Sequence, residues 1–205
     1  MSAPLSTVVL IRPCCTDFDE QNRVQGRLSL PLNSRGEAQL LELATQLQAS
    51  PMEVIYTSRC EPARSTAAAL GEALGLTVKE MDDLDNLDQG LWQGLQVEDL
   101  RRKHPKVFRQ WQESPETICP PQGETVDEAF ERIRRAFEKP LKRGIPFAVV
   151  APEPLAEFIA SFLTGRKVNL THTLCSEQRL QSRWELLHVV DAAAPRNGTA
   201  ETISG

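Results

Sequence analysis

Val9-Leu10-Ile11-Arg12-Pro13-Cys14-Cys15-Thr16 joins an apolar run to an arginine and then to a proline. From Thr7 to Ile11 the residues are β-branched or leucine without interruption, which suits a strand buried on both faces of a parallel sheet. An arginine placed directly after such a strand presents a cation at the strand's carboxyl end. The residue after the arginine decides what chemistry is open, and here it is proline. Proline has no nucleophilic atom, no titratable group and no backbone N–H.

Working outward, Glu37 to Ala49 carries Leu40, Leu41, Ala44 and Leu47 at helical spacing, with Asn33 or Ser34 as its cap. Val54 to Thr57 reads as the next strand, Ala63 to Leu74 as an alanine-rich helix stopped by Gly75, and Thr77 to Lys79 as another short strand. Val97 to Gln112 reads as one helix and Pro115 to Gly123 as a proline-rich loop. Thr125 to Lys139 is amphipathic, with Val126, Ala129, Ile133, Ala136 and Phe137 toward a core. Phe147 to Val150 is a further buried strand, Leu155 to Leu163 a helix ending at Gly165, and Arg183 to Val190 a last, weakly alternating strand. Strands alternating with helices predict an α/β fold, a three-layer α/β/α sandwich with a mostly parallel sheet. The expected organisation is one domain over 1–190 and a small polar, disordered tail over 191–205.

The chain has 205 residues, 40% hydrophobic and 25% charged, which allows one full-sized core. A net charge of −5 without a basic block argues against nucleic acid. No apolar run approaches the roughly 20 residues needed to cross a membrane, and the start has no charged and apolar leader. Five cysteines, odd in number and irregularly spaced, fit reduced thiols in the cytoplasm. Nothing in the chain calls for a metal or a cofactor.

Arg12-x3-Thr16-x6-Arg23-x-Gln25-Gly26, followed by Pro31-Leu32-x3-Gly36-x2-Gln39, resembles the opening pattern of the histidine phosphatase superfamily, the phosphoglycerate-mutase-like family. Further blocks resemble that family in the same order: Ile55-Tyr56-Thr57-Ser58-x4-Ala63-x2-Thr66-Ala67, Leu84-x5-Gly90-x-Trp92-x-Gly94, Pro121-x-Gly123-Glu124-Thr125-x2-Glu128-x3-Arg132, and Val149-Val150-Ala151-Pro152-Glu153-Pro154. The resemblance implies the phosphoglycerate mutase-like fold. It also implies a site in which a histidine attacks a phosphoryl group, an acid protonates the leaving group, and two arginines and a second histidine hold the charge.

Set against that implied site, the departures are systematic. The family's nucleophile position holds Pro13, its second arginine Pro62, its acid Asn86 and its second histidine Pro152, so no catalytic set is intact. His104, His172 and His188 lie outside the blocks. Arg12 and Arg23 keep a phosphate-binding character. Arg64 is a weak stand-in for the missing arginine, because two residues along a helix turn it roughly 200° from Pro62. Asp19 and Glu153 bring negative charge to where a phosphate would settle. The prolines fall just before helices, where they are tolerated, and they remove amides that would face an anion.

Candidate anion-binding residues are therefore Arg12, Arg23, Arg64 and Glu124. Arg12 either binds an anion or pairs internally with Asp19 or Glu124, and Glu124 by default is a helix-start acid. Cys14, Cys15 and Cys60 border the implied pocket as a candidate thiol site, against simple apolar filling. Trp92 and Trp111 read as packing residues. The expected function is that of a phosphatase-like protein without phosphatase or mutase activity, binding a small phosphorylated molecule, an inorganic anion or a protein partner. The alternative is an active phosphoric-ester hydrolase of the same superfamily working through non-standard residues.

Overall fold

The structure, a computed structural model, describes residues 7–171, 180, 181 and 183–189. Its centre is a five-stranded sheet of β1 (Thr7–Ile11), β2 (Val54–Thr57), β3 (Thr77–Glu80), β4 (Phe147–Val150) and β5 (Trp184–His188), in the order β3-β2-β4-β1-β5. All neighbours run parallel except β5, which lies antiparallel to β1 with Leu10 opposite Glu185 and Ile11 opposite Trp184. The sheet is thus mixed and mostly parallel, as the unbroken apolar runs of its central strands predict.

Seven helices lie among the described residues: α1 (Asp17–Glu20), α2 (Ser34–Leu47), α3 (Ala63–Leu74), α4 (Val97–Lys103), α5 (Pro105–Glu113), α6 (Val126–Arg143) and α7 (Leu155–Thr164). Side chains alternate across the sheet and feed two cores. Val9, Ile11, Ile55, Ala148 and Val150 pack with Leu43, Leu47, Ala67 and Leu70 of α2 and α3. Val8, Leu10, Tyr56, Phe147 and Val149 pack with Ile133, Phe137, Phe158 and Ile159 of α6 and α7. Three layers follow because both faces of each central strand are apolar and each needs its own cover.

The helix expected over Val97 to Gln112 is instead two, α4 and α5, divided at His104. Pro105 disfavours the helical conformation in the residue before it, and His104 takes φ −132°, ψ 55°. Asn33, not Ser34, caps α2 by accepting from the Gly36 N–H at 2.9 Å. The stretch from Pro115 to Gly123 includes a short 3₁₀ turn, Pro115–Thr117. The amphipathic helix runs on past Lys139 to Arg143 with Pro140 inside it, and Ala129, Ile133, Ala136 and Phe137 are buried as their spacing predicts. The expected tail over 191–205 lies outside the described residues. Among the described residues no helix is long and apolar enough to cross a membrane.

Gly36 sits where α2 passes against the loop after β1. A Cβ at this position would overlap the Cys15 carbonyl oxygen, so helix and loop meet at a distance only glycine allows. Gly36→Ala is expected to lower stability by about 1–3 kcal/mol through forced separation of the two segments. Urea unfolding monitored by circular dichroism measures it, and an unchanged midpoint would contradict the close approach.

Candidate functional site

Arg12, Glu153, Arg183 and Glu185 come from four places far apart in sequence and meet at one end of the sheet. Arg12 follows the carboxyl end of β1, and Glu153 follows that of β4 by three residues. Arg183 and Glu185 flank the first residue of β5, which starts at this end because it is antiparallel. The Arg12 N–H donates to the Arg183 carbonyl oxygen at 2.8 Å, extending the β1–β5 pairing and fixing where both side chains begin.

The Arg12 guanidinium is nearly buried and paired with two carboxylates. Its Nε donates to Glu153 Oε1 at 2.9 Å and an Nη donates to Glu185 Oε1 at 2.6 Å, with side-chain exposures of 12%, 13% and 29%. Arg183 adds a second cation 3.6 Å from the same Glu153 oxygen. Burial works against the Arg12 charge, but Glu153 and Glu185 more than offset it, so its pKa is raised. Burial lowers the pKa of Arg183, and Glu153 offsets this only in part. Arg166 closes the group through Glu157 at 2.8 Å and Glu185 at 3.2 Å. Internal pairing is what Arg12 does here, and its partners are Glu153 and Glu185 instead of the expected Asp19 or Glu124.

Those two acids are occupied elsewhere. Asp19 closes a capping box at α1, its Oδ2 accepting from the Thr16 N–H at 2.9 Å and the Thr16 hydroxyl at 2.7 Å. Glu124 takes a two-pronged ion pair from Arg132, 2.6 and 3.0 Å, both side chains under a tenth exposed. That pair ties the start of α6 to the Asp83 carbonyl, which Arg132 also bonds at 2.7 Å.

A small cavity of about 50 Å³ opens beside Arg12, with Pro13, Pro62, Pro152, Pro154 and Trp111 among its walls. By water-sized volume it holds a few solvent molecules at most. Of the four candidate anion ligands only Arg12 lines it. Arg23 donates to the Gly94 carbonyl at 2.6 Å and lies over the Phe18 ring. Arg64 is more than half exposed and faces Glu80 at 3.6 Å on the edge strand β3. The helical turn from Pro62 carries it away, as its position predicts.

Pro62 and Pro154 are the residues before the first turns of α3 and α7, both at φ −88°, ψ −1°. The amides behind them are satisfied internally. Glu61 Oε2 accepts from the Ser65 N–H at 3.1 Å, and Asn86 Oδ1 accepts from the Leu155 N–H at 3.3 Å. Asn86 is 4% exposed and makes every bond its amide allows: it donates to the Gly26 and Glu153 carbonyls at 2.9 and 3.0 Å and accepts also from the Leu87 N–H. It is a clamp between three loops.

Cys14 and Cys15 are buried and held by their backbones, Cys14 N–H to Thr66 Oγ1 and Cys15 N–H to Gln39 Oε1. Cys14 packs in the apolar core beneath β1 and also borders the cavity; Cys15 and Cys60 do not border it. Burial pushes both the Cys14 and Cys15 thiols up to about 11, and Cys60 is raised as well. Among the described residues no group of three or more histidine, cysteine, aspartate or glutamate side chains could hold a metal ion. Sequence reasoning missed Arg183 and Glu185, which it read only as part of a weakly alternating strand. It also missed Gln89, 1% exposed and in the cavity wall.

A family model of the histidine phosphatase superfamily (branch 1) matches residues 8–171. The chain belongs to that superfamily. It is 32% identical over 136 residues to phosphoserine phosphatase 1 of Hydrogenobacter thermophilus, and 30% identical over 135 residues to the uncharacterized phosphatase PhoE of Bacillus subtilis. Each match covers 66% of this chain and 64% of the relative, just under two thirds of those proteins' length. Among solved structures it is similar to Bacillus stearothermophilus YhfR (22% identity, TM-score 0.71, 82% of this chain and 84% of that one). It is similar also to native mycobacterial glucosyl-3-phosphoglycerate phosphatase (24% identity, TM-score 0.71, 90% and 98%). Those structural likenesses show that the α/β fold is shared with these structures.

Two outcomes follow from this geometry. Asn86→Asp replaces a two-donor group by an acceptor facing two carbonyl oxygens, so a loss of about 2–4 kcal/mol is expected on thermal or urea unfolding, with no gain of activity. For the thiols, a pKa raised in the folded state means that the unfolded chain ionises first. Their stabilisation is intact below pH 9 and is lost as pH rises through about 11. Urea midpoints between pH 7 and 11 should fall over that window, and fall less in Cys14→Ala.

Proposed function

We propose that this histidine phosphatase superfamily member no longer transfers phosphoryl groups and acts by binding. The observation that carries the reading is the state of Arg12. A guanidinium serving a phosphoryl group keeps its donors for phosphate oxygens, whereas Arg12 directs its Nε and one Nη to Glu153 and Glu185. The resemblance supports the same reading, since Pro13 and Pro152 stand where the family's pattern has histidines and Asn86 stands where it has an acid.

Phosphoryl transfer needs a nucleophile that is unprotonated near neutral pH. Among the described residues no histidine lines the cavity, and Cys14, which does line it, holds its proton to about pH 11. Four free thiols among the described residues, Cys14, Cys15, Cys60 and Cys119, support a reducing, cytoplasmic setting.

The purified full chain is expected to hydrolyse neither p-nitrophenyl phosphate nor 3-phosphoglycerate above the buffer rate, and to form no acid-labile phosphohistidine. Arg12→Ala is expected to change no activity but to cost about 3–5 kcal/mol of stability, because it leaves Glu153 and Glu185 without their shared cation. Turnover that disappears in Cys14→Ser or Arg12→Ala would establish an active hydrolase using non-standard residues and overturn this reading.

A further inference from the structure

Two cavities meet at Arg12. Beside the small enclosed one lies an open groove of about 480 Å³, bordered by Arg166, Lys167, Asn169 and Trp184. Arg12, Glu153 and Arg183 line both cavities, so their ion pairs lie where the two meet. Lys167 is 71% exposed and Arg166 40% exposed, so the first charges met along the groove are cationic.

Glu153 fits this place incompletely. Its Oε1 serves both arginines, while its Oε2 is buried with no hydrogen-bond partner. A carboxylate brings two oxygens and one charge to two guanidiniums. A phosphate or sulfate brings more charge, and its tetrahedral oxygens can give each guanidinium its own forked pair where Glu153 offers one shared oxygen. Among the described residues, the network Arg12, Arg166 and Arg183 against Glu153, Glu157 and Glu185 carries three charges of each sign. Neutralising Glu153 alone leaves one positive charge in excess on two partly buried arginines, and a buried unpaired charge recruits a counterion or destabilises the fold.

We propose that Glu153 is an internal ligand that occludes an oxyanion site made by Arg12 and Arg183, entered from the groove past Arg166 and Lys167. The contact is autoinhibitory: a small dianionic oxyanion gains the two arginines only by displacing the Glu153 side chain. The Glu153 backbone stays fixed, because Asn86 holds its carbonyl at 3.0 Å, so only the side chain need move. The proposal rests on the reading of the protein as a binder, and it names the ligand class and the residue that excludes it.

The test is calorimetric titration of inorganic phosphate into the full-length protein at constant ionic strength, with Trp184 fluorescence as a second readout. Glu153→Gln is expected to bind phosphate at least about tenfold more tightly than the natural chain. Arg183→Gln added to that variant is expected to erase the gain. Glu131→Gln, the same charge change at an exposed site on α6, is expected to match the natural chain. Should Glu153→Gln not fold, Glu153→Asp, whose shorter side chain retracts from Arg12, carries the test with a smaller gain. Equal affinity in the folded Glu153 variant and the natural chain overturns the proposal, as does an equal gain in Glu131→Gln. Hydrolysis of p-nitrophenyl phosphate by the Glu153 variant would instead overturn the non-catalytic reading and leave the occlusion standing.

Discussion

A guanidinium cannot shed its proton inside a protein, so an arginine taken out of water must be matched by an anion from somewhere. Arg12 is placed by β1, a strand buried on both faces, and cannot retreat from the sheet's end without undoing that strand. The matching anions come from the two strands beside it. β4 delivers Glu153 from its carboxyl end, and β5, by running antiparallel, delivers Glu185 and Arg183 at its start. Strand order and charge balance are therefore one arrangement, and a parallel β5 would have sent its first residues to the opposite end.

The same economy governs the neutral groups around the cavity. Helix N-termini leave amides that attract anions, and α3 and α7 both start near this end of the sheet. Their free amides go to Glu61 and Asn86, and prolines supply the residues before them. Asp19, the acid nearest Arg12 in sequence, goes to the cap of a four-residue helix. Several of the groups that an external oxyanion would use are thus held by carboxylates and amides of the chain itself.

That distribution explains what was legible in the sequence. β1, β2, β4 and α3 were readable to the residue, because both faces of the strands and the Gly75 stop are local signals. The break between α4 and α5 was present as Pro105 but was outweighed by continuous helical spacing across it. α1 has only four residues and no apolar face, so periodicity could not announce it. The family blocks brought Glu153 to the pocket, but its pairing with Arg12, and Glu185 altogether, were unreadable for a different reason. Glu153 and Glu185 lie 141 and 173 residues away, and no local pattern tells which of 28 acids will arrive at a strand end. The expected partners were Asp19 or Glu124, and the cap at Thr16 and the pair with Arg132 occupy them.

A site built for an external charged ligand carries a cost when it is empty: its cations lie close to one another and its amides stay unbonded. Replacing the ligand by internal carboxylates and amides removes that cost and ties β1, β4, β5 and α7 together at a point where the sheet would otherwise repel itself. The exchange needs few substitutions because the residues concerned sit at strand ends and helix starts, outside both apolar cores. A fold can thus keep its packing whether such a site receives an external charge or, as the ion pairs of Arg12 do here, balances its own. What the arrangement leaves behind is an imperfect fit, since Oε2 of Glu153 is buried with no donor facing it among the described residues.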